Sequence, residues 1–137
     1  MNTNNFYKKY VKPYEKYEVE ASERIKKQFN VNIVNFNNNS DFDFIDEKEV
    51  KYEVKYDGYS NVSNNFFIEF LGYGKATGIN ITQAKYYIIT DGNIYSLILT
   101  KKLKKLVKNC PIKFTKDGST AGYIIDKNII ISNSTLI

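Results

Sequence analysis

The chain has 137 residues and a mass of 15.9 kDa, the span of one domain. Its 42% apolar and 26% charged residues give a globular balance, and no apolar run nears the ~20 residues that a membrane helix needs. Twenty basic residues against 15 acidic ones leave +5; the absence of histidine and the lone Cys110 exclude a His/Cys zinc site, a Ser-His-Asp triad, a Cys-His pair and histidine-ligated haem.

A single domain over residues 1–137 is expected, frayed over 1–12, with its core over 13–132. Pro13 suits the first turn of a helix, and Tyr17, Ala21, Ile25 and Phe29 recur every four residues, so one stripe of a helix over 13–29 faces a core. Residues 31–36 read as a strand. Residues 41–45 and 50–57 alternate with period two and form a hairpin around the charged loop 46–49. A third strand is expected over 66–70, a glycine-rich loop over 72–78 and a short helical turn over 82–85. Strands over 86–90 and 94–99 flank an Asp91-Gly92-Asn93 turn. Thr100 is placed to cap a basic helix running to Lys108, and β-structure over 122–126 and 129–131 closes the chain. This order implies an α/β layered domain with a central mixed sheet, the first helix on one face and the lysine helix on or near the other.

The hairpin is the informative segment. On its second strand Val50, Tyr52, Val54 and Tyr56 share one face, while Lys51, Glu53, Lys55 and Asp57 share the other. Burying Phe42 and Phe44 against Val54 and Tyr52 sets Asp43 directly across from Glu53, roughly 5 Å apart at Cβ, with Lys55 two residues along. Facing carboxylates repel unless a cation lies between them, and without histidine that cation is a hard one held by oxygen, such as magnesium. The plain alternative is a solvated strand face with one weak salt bridge.

Asp43, then Glu53-Val54-Lys55 on the next strand after a glutamate-bearing helix, resembles the PD-(D/E)XK nuclease superfamily, in particular the small phage-type Holliday-junction resolvases and related DNA endonucleases. The words Asn65-Phe-Phe-Ile-Glu-Phe70, Lys75-Ala-Thr-Gly-Ile79 and Thr82-Gln-Ala84 also resemble that group, over residues 14–108. The family proline before the first aspartate is replaced by Phe42. The resemblance implies a restriction-endonuclease-like central mixed sheet flanked by helices and Mg²⁺-dependent DNA cleavage, with Mn²⁺ able to substitute. It further implies that Asp43, Glu53 and the Val54 carbonyl ligate the metal, that Lys55 orients the attacking water or steadies the transition state, and that a first-helix glutamate completes the site. Glu18 lies on the buried stripe and is the expected one, with Glu20 in reserve. Resolvases of this kind act as dimers, and the apolar tail over 129–137 is the expected interface.

Glu69 shares a strand face with Phe67 and is expected either to support the ligands by a hydrogen bond or to be an edge charge. The loop over 72–78 lacks the spacing and the Gly-Lys-Ser/Thr ending of a Walker A motif, which excludes nucleotide hydrolysis there. Lys75 on that loop and Lys101, Lys102 and Lys105 on the basic helix are the expected DNA phosphate contacts, and Tyr56, Tyr59 and Tyr73 the candidates for base stacking. The single cysteine and a start without signal-peptide plan point to a reducing cytoplasm, the host's if the protein is viral. Two other readings stand beside the nuclease: a non-catalytic nucleic-acid-binding module on the same scaffold, and a small structural or interaction protein whose hairpin acids are simply solvated.

Overall fold

Helix α1 (Glu15–Phe29) turns Ala21 and Ile25 inward, while Phe29, expected on the same stripe, is 44% exposed. A four-residue repeat drifts about 40° per step on a 3.6-residue helix, so Phe29 sits about 120° round from Tyr17 and off the buried face. The computed structural model describes residues 15–37 and 42–137; the expected fraying over 1–12, the helix-opening role of Pro13 and the strand position of Asp41 lie outside the described residues.

The strands make two sheets rather than one. A six-stranded mixed sheet has the order β1 (Ile33–Phe36), β2 (Phe44–Asp46), β3 (Lys51–Tyr56), β6 (Tyr86–Thr90), β7 (Tyr95–Leu99), β10 (Thr135–Leu136), with β3 and β6 its parallel pair. A four-stranded antiparallel sheet has the order β5 (Lys75–Ala76), β4 (Asn65–Gly72), β9 (Thr120–Asp126), β8 (Ile112–Phe114). Alternation along the mixed sheet separates two apolar layers. Phe44, Tyr52, Val54, Ile88, Tyr95 and Leu97 pack with Ala21 and Ile25 of α1. On the opposite face Tyr87, Ile89 and Ile98 pack with Phe66, Ile68 and Ile125 of the second sheet and with Leu103 and Val107 of the lysine helix, α3 (Thr100–Val107). The chain is therefore a mixed α/β fold whose mixed sheet is flanked by helices on its two faces. No helix of the described residues is long and apolar enough to cross a membrane.

Several local expectations are corrected. Residues 127–132 form helix α4 (Lys127–Ser132), although Ile129, Ile130 and Ile131 favour strands. Asp126 accepts the Asn128 N–H at 2.7 Å as an N-cap, and Ile130 is buried in the core between the sheets, so capping and burial override propensity. The tail expected to join two copies is taken up in part within the chain, since β10 pairs with β7 and the Ile137 N–H donates to the Tyr95 carbonyl, while Ile129 and Leu136 stay exposed. Thr100 is the first residue of α3 and not its cap; Leu99 holds the cap position, and the Thr100 hydroxyl is buried without a partner among the described residues. No helix forms over 82–85: the Thr82 hydroxyl accepts the Ala84 N–H, and the helical turn falls earlier, as a 3-10 turn at Gly78–Asn80. Part of the glycine-rich loop is strand, β4 and β5 meeting across Tyr73 and Gly74. Helix α2 (Ser60–Ser63) and strand β8 were not expected from the sequence pattern.

Gly78 has φ +51°, and a Cβ there would stand 2.2 Å from the Glu69 carbonyl oxygen. Strain of ~1–2 kcal/mol from the left-handed backbone alone adds to a clash with rigid main chain. Gly78→Ala is expected to cost about 2 kcal/mol or more, read as a lower denaturant midpoint at unchanged m-value.

Candidate functional site

The site is built where β2 stops. The β2–β3 register is the expected one, Phe44 opposite Tyr52. Beyond Phe44 the chain leaves the sheet, while β3 stays paired with β6 as far as Tyr56. The outer half of β3 is left with an open edge, and Asp43 closes over it. Its N–H donates to the Tyr52 carbonyl at 2.8 Å, and its Oδ2 accepts the Val54 N–H at 2.6 Å. Since N–H and C=O of one strand residue point to the same edge, the Val54 carbonyl faces this opening too.

Glu53 is only 6% exposed, and its carboxyl shares a hydrogen bond with that of Asp43. Burial pushes the Glu53 carboxyl up to about 9; the bond to Asp43 and the charges of Asp43 and Glu18 add to this, and Lys55 opposes them. Glu18, half-buried on α1, rises to about 7 through burial and the charges of Asp43 and Glu15, again opposed by Lys55. The structure thus places the four residues expected at the centre, Glu18, Asp43, Glu53 and Lys55, within electrostatic reach of one another. Beneath them the Tyr87 hydroxyl, buried without a partner among the described residues, feels the charges of Glu53, Asp43 and Glu69 and is raised, burial being the main cause. Sequence periodicity marks Tyr87 only as a core aromatic.

Glu20 is not part of the cluster. It accepts the Tyr95 hydroxyl at 2.6 Å and pairs with Arg24 at 3.3 Å, and these bonds, Tyr95 first, hold its carboxyl below the usual range. Glu69 is half-buried on β4 and lines a cleft of about 910 Å³ that opens from Lys55 toward the second sheet. Among the described residues no group of three or more Asp, Glu or Cys side chains stands in an arrangement that holds a metal ion. The Asp43 carboxylate is taken up by the Val54 N–H.

The basic residues differ most from expectation. Lys75, Lys101, Lys102 and Lys105 are exposed, but none lines the cleft. Tyr86 pairs with both Tyr52 and Leu99, so α3 leaves the sheet at the end where β3 begins, while the cleft lies at the other end. Lys113 and Lys116, on and beyond β8, line the cleft together with Lys55. The alternation Ile112-Lys113-Phe114 before the Lys116-Asp-Gly118 turn is the hairpin signal that marks them. Of the tyrosines proposed to stack on bases, Tyr56 is taken up by a ring stack on Tyr17, centroids 3.9 Å apart, Tyr73 stands on the β4–β5 turn, and Tyr59 lines the cleft, 67% exposed.

Compared with known proteins, the chain matches no family model, and no curated protein or solved structure gives a match.

Proposed function

We propose that the chain is a Mg²⁺-dependent endonuclease of the PD-(D/E)XK kind, on the restriction-endonuclease-like variety of the α/β fold, hydrolysing phosphodiester bonds of DNA, with branched DNA the favoured substrate. The observation that carries this reading is the gathering of Glu18, Asp43, Glu53 and Lys55 at the open edge of β3. The donors there, three carboxyls and the Val54 carbonyl, are hard oxygens that suit Mg²⁺ or Mn²⁺. Glu18 and Glu53 are each raised partly by neighbouring negative charge, a cost that a divalent cation removes. When bound, the ion would supply a water of lowered pKa and offset charge on the phosphate. The chain's own part is positional. Asp43 is fixed by the main chain of β3 on both its N–H and its carboxylate, Glu53 is fixed by burial, and the Lys55 ammonium on the same strand face orients the water or steadies the charge that develops on the phosphate.

The test is incubation of labelled four-way junction, duplex and single-stranded DNA with Mg²⁺, Mn²⁺ or EDTA. Cleavage is expected with either metal and not with EDTA, and Asp43→Asn and Lys55→Ala are each expected to lose on the order of 10²-fold or more while still binding. Cleavage that survives Asp43→Asn removes the site from the reaction. The rival reading, a DNA-binding module without cleavage, draws on the lack, among the described residues, of three acids arranged to hold a metal ion. It requires salt-sensitive binding with no product under any cation.

A further inference from the structure

The cleft beside Lys55 carries chemistry that phosphodiester hydrolysis does not use. Phe67 lines it, and the far end of its ring lies close over Gly122 of β9, where a Cβ would stand 2.5 Å from the ring. One wall is Tyr59 at the start of α2 and the other is the end of β8 with Phe114, and both aromatics are largely exposed, at 67% and 57%. Lys113 and Lys116 flank Phe114, and Lys55 stands at the end nearest the carboxylates. Of the two acids in the cleft, Asp57 has both oxygens committed, one to the Ser60 N–H at 3.2 Å and one to the Phe67 N–H at 2.9 Å. Three lysines therefore stand against two acids, of which Glu69 alone has oxygens not held by those N–H groups, and the cleft keeps an excess of positive charge.

We infer that this cleft binds an unpaired strand of DNA, with bases stacked on Tyr59 and Phe114 and phosphates held by Lys113 and Lys116. Exposed aromatic faces flanked by cations suit a single strand, since its base faces are free, whereas those of a duplex are covered by their neighbours. The volume of about 910 Å³ falls in the ~300–1,000 Å³ range of ligand clefts. The inference rests on the nuclease reading in one respect. Because Lys55 belongs to both the cleft and the acidic cluster, a strand lying in the cleft runs on to the carboxylates, so the substrate is DNA with unpaired nucleotides beside the cut.

Binding is measured by fluorescence anisotropy in EDTA, with labelled oligo-dT of about 12 nucleotides, within the ~4–16-nucleotide range of single-strand sites, against a duplex of equal length. Oligo-dT is expected to bind at least about tenfold tighter. Tyr59→Ala and Phe114→Ala are each expected to weaken it by about fivefold or more, and Lys113→Gln and Lys116→Gln each to lower the salt slope by ~0.7. These side chains are exposed or at the surface, so the thermal melt of each variant should match wild type. Duplex binding as tight as oligo-dT binding, or aromatic variants that bind like wild type, overturns the inference. The two readings fail separately: strand-selective binding with no cleavage under any cation sinks the nuclease alone, and metal-dependent cleavage without strand selectivity sinks this inference alone.

Discussion

Glu53→Gln is expected to make the metal-free protein more stable above about pH 7 while removing on the order of 10²-fold or more of the DNA cleavage. In the folded chain burial and Asp43 raise the Glu53 carboxyl to about 9, from the 4.5 of an ordinary glutamate. Between those values the folded state holds a proton that the unfolded state has released. A carboxyl raised in this way contributes its full stability below the unfolded value and loses it as the pH rises toward the folded one, at up to ~1.4 kcal/mol per pH unit for one group. Glu18, raised to about 7, adds the same trend over the lower part of that window. Glutamine keeps the shape and the neutral state of the protonated acid and has nothing to titrate. In EDTA, wild-type Tm should therefore fall between about pH 5 and 9, and the Glu53→Gln Tm should fall less, the two curves meeting near pH 4 to 5. Added Mg²⁺ should restore wild-type stability at pH 8 according to its occupancy and leave the variant unmoved. A wild-type Tm that is flat or rises over that range would show that Glu53 does not carry the proton.

The centre of the site is legible in the sequence because it lies on one local hairpin. Placing Phe44 against Tyr52 fixes the register, and one residue of slip would turn every side chain over, while Phe42, expected against Val54, is only half-buried with the Lys51 ammonium over its ring. Glu18 is legible for a similar reason, lying three residues before Ala21 on the packed face of α1. What the pattern hides is whatever depends on distant pairing. β4 joins β9 instead of β3, across more than fifty residues, which turns one sheet into two and opens the cleft between them. Lys113 and Lys116 reach that cleft only because β8 pairs with β9. Asp46 is a further case. Read as part of a charged loop, it is 2% exposed and accepts the N–H groups of Lys48 and Val50 and the hydroxyl of Tyr52, so a polar residue is the buried pin of its turn. Composition and spacing give no sign of which polar groups find such partners.

Lys127→Met is expected to cost about 3–5 kcal/mol. The Lys127 ammonium lies 2.8 Å from the Asp91 carboxylate, with both residues under 9% exposed, and it also donates to Asn61 at 3.4 Å. The pair joins the β6–β7 turn of the mixed sheet to the start of α4, directly after β9 of the second sheet. Burial pushes the Asp91 carboxyl up, but Lys127 and the N–H groups of Ile94 and Asn93 outweigh that and hold it below the usual range. Methionine keeps the length of the lysine stem and removes only the charge, leaving Asp91 buried without its counter-ion; that orphaned charge, more than any worth of the pair itself, sets the size of the loss. Asp91→Asn in the same chain should then recover part of it, since the neutral amide still accepts the turn N–H groups, and a double-mutant cycle on denaturant midpoints gives the coupling. The acid limb supplies an independent check. A depressed carboxyl contributes stability above its unfolded value and loses it as the pH falls through the folded one, so wild type should lose its advantage over Lys127→Met/Asp91→Asn below about pH 4. A loss under ~1 kcal/mol for Lys127→Met, the ordinary worth of a solvated surface pair, would mean that water reaches Asp91 and that this pair does not hold the two sheets together.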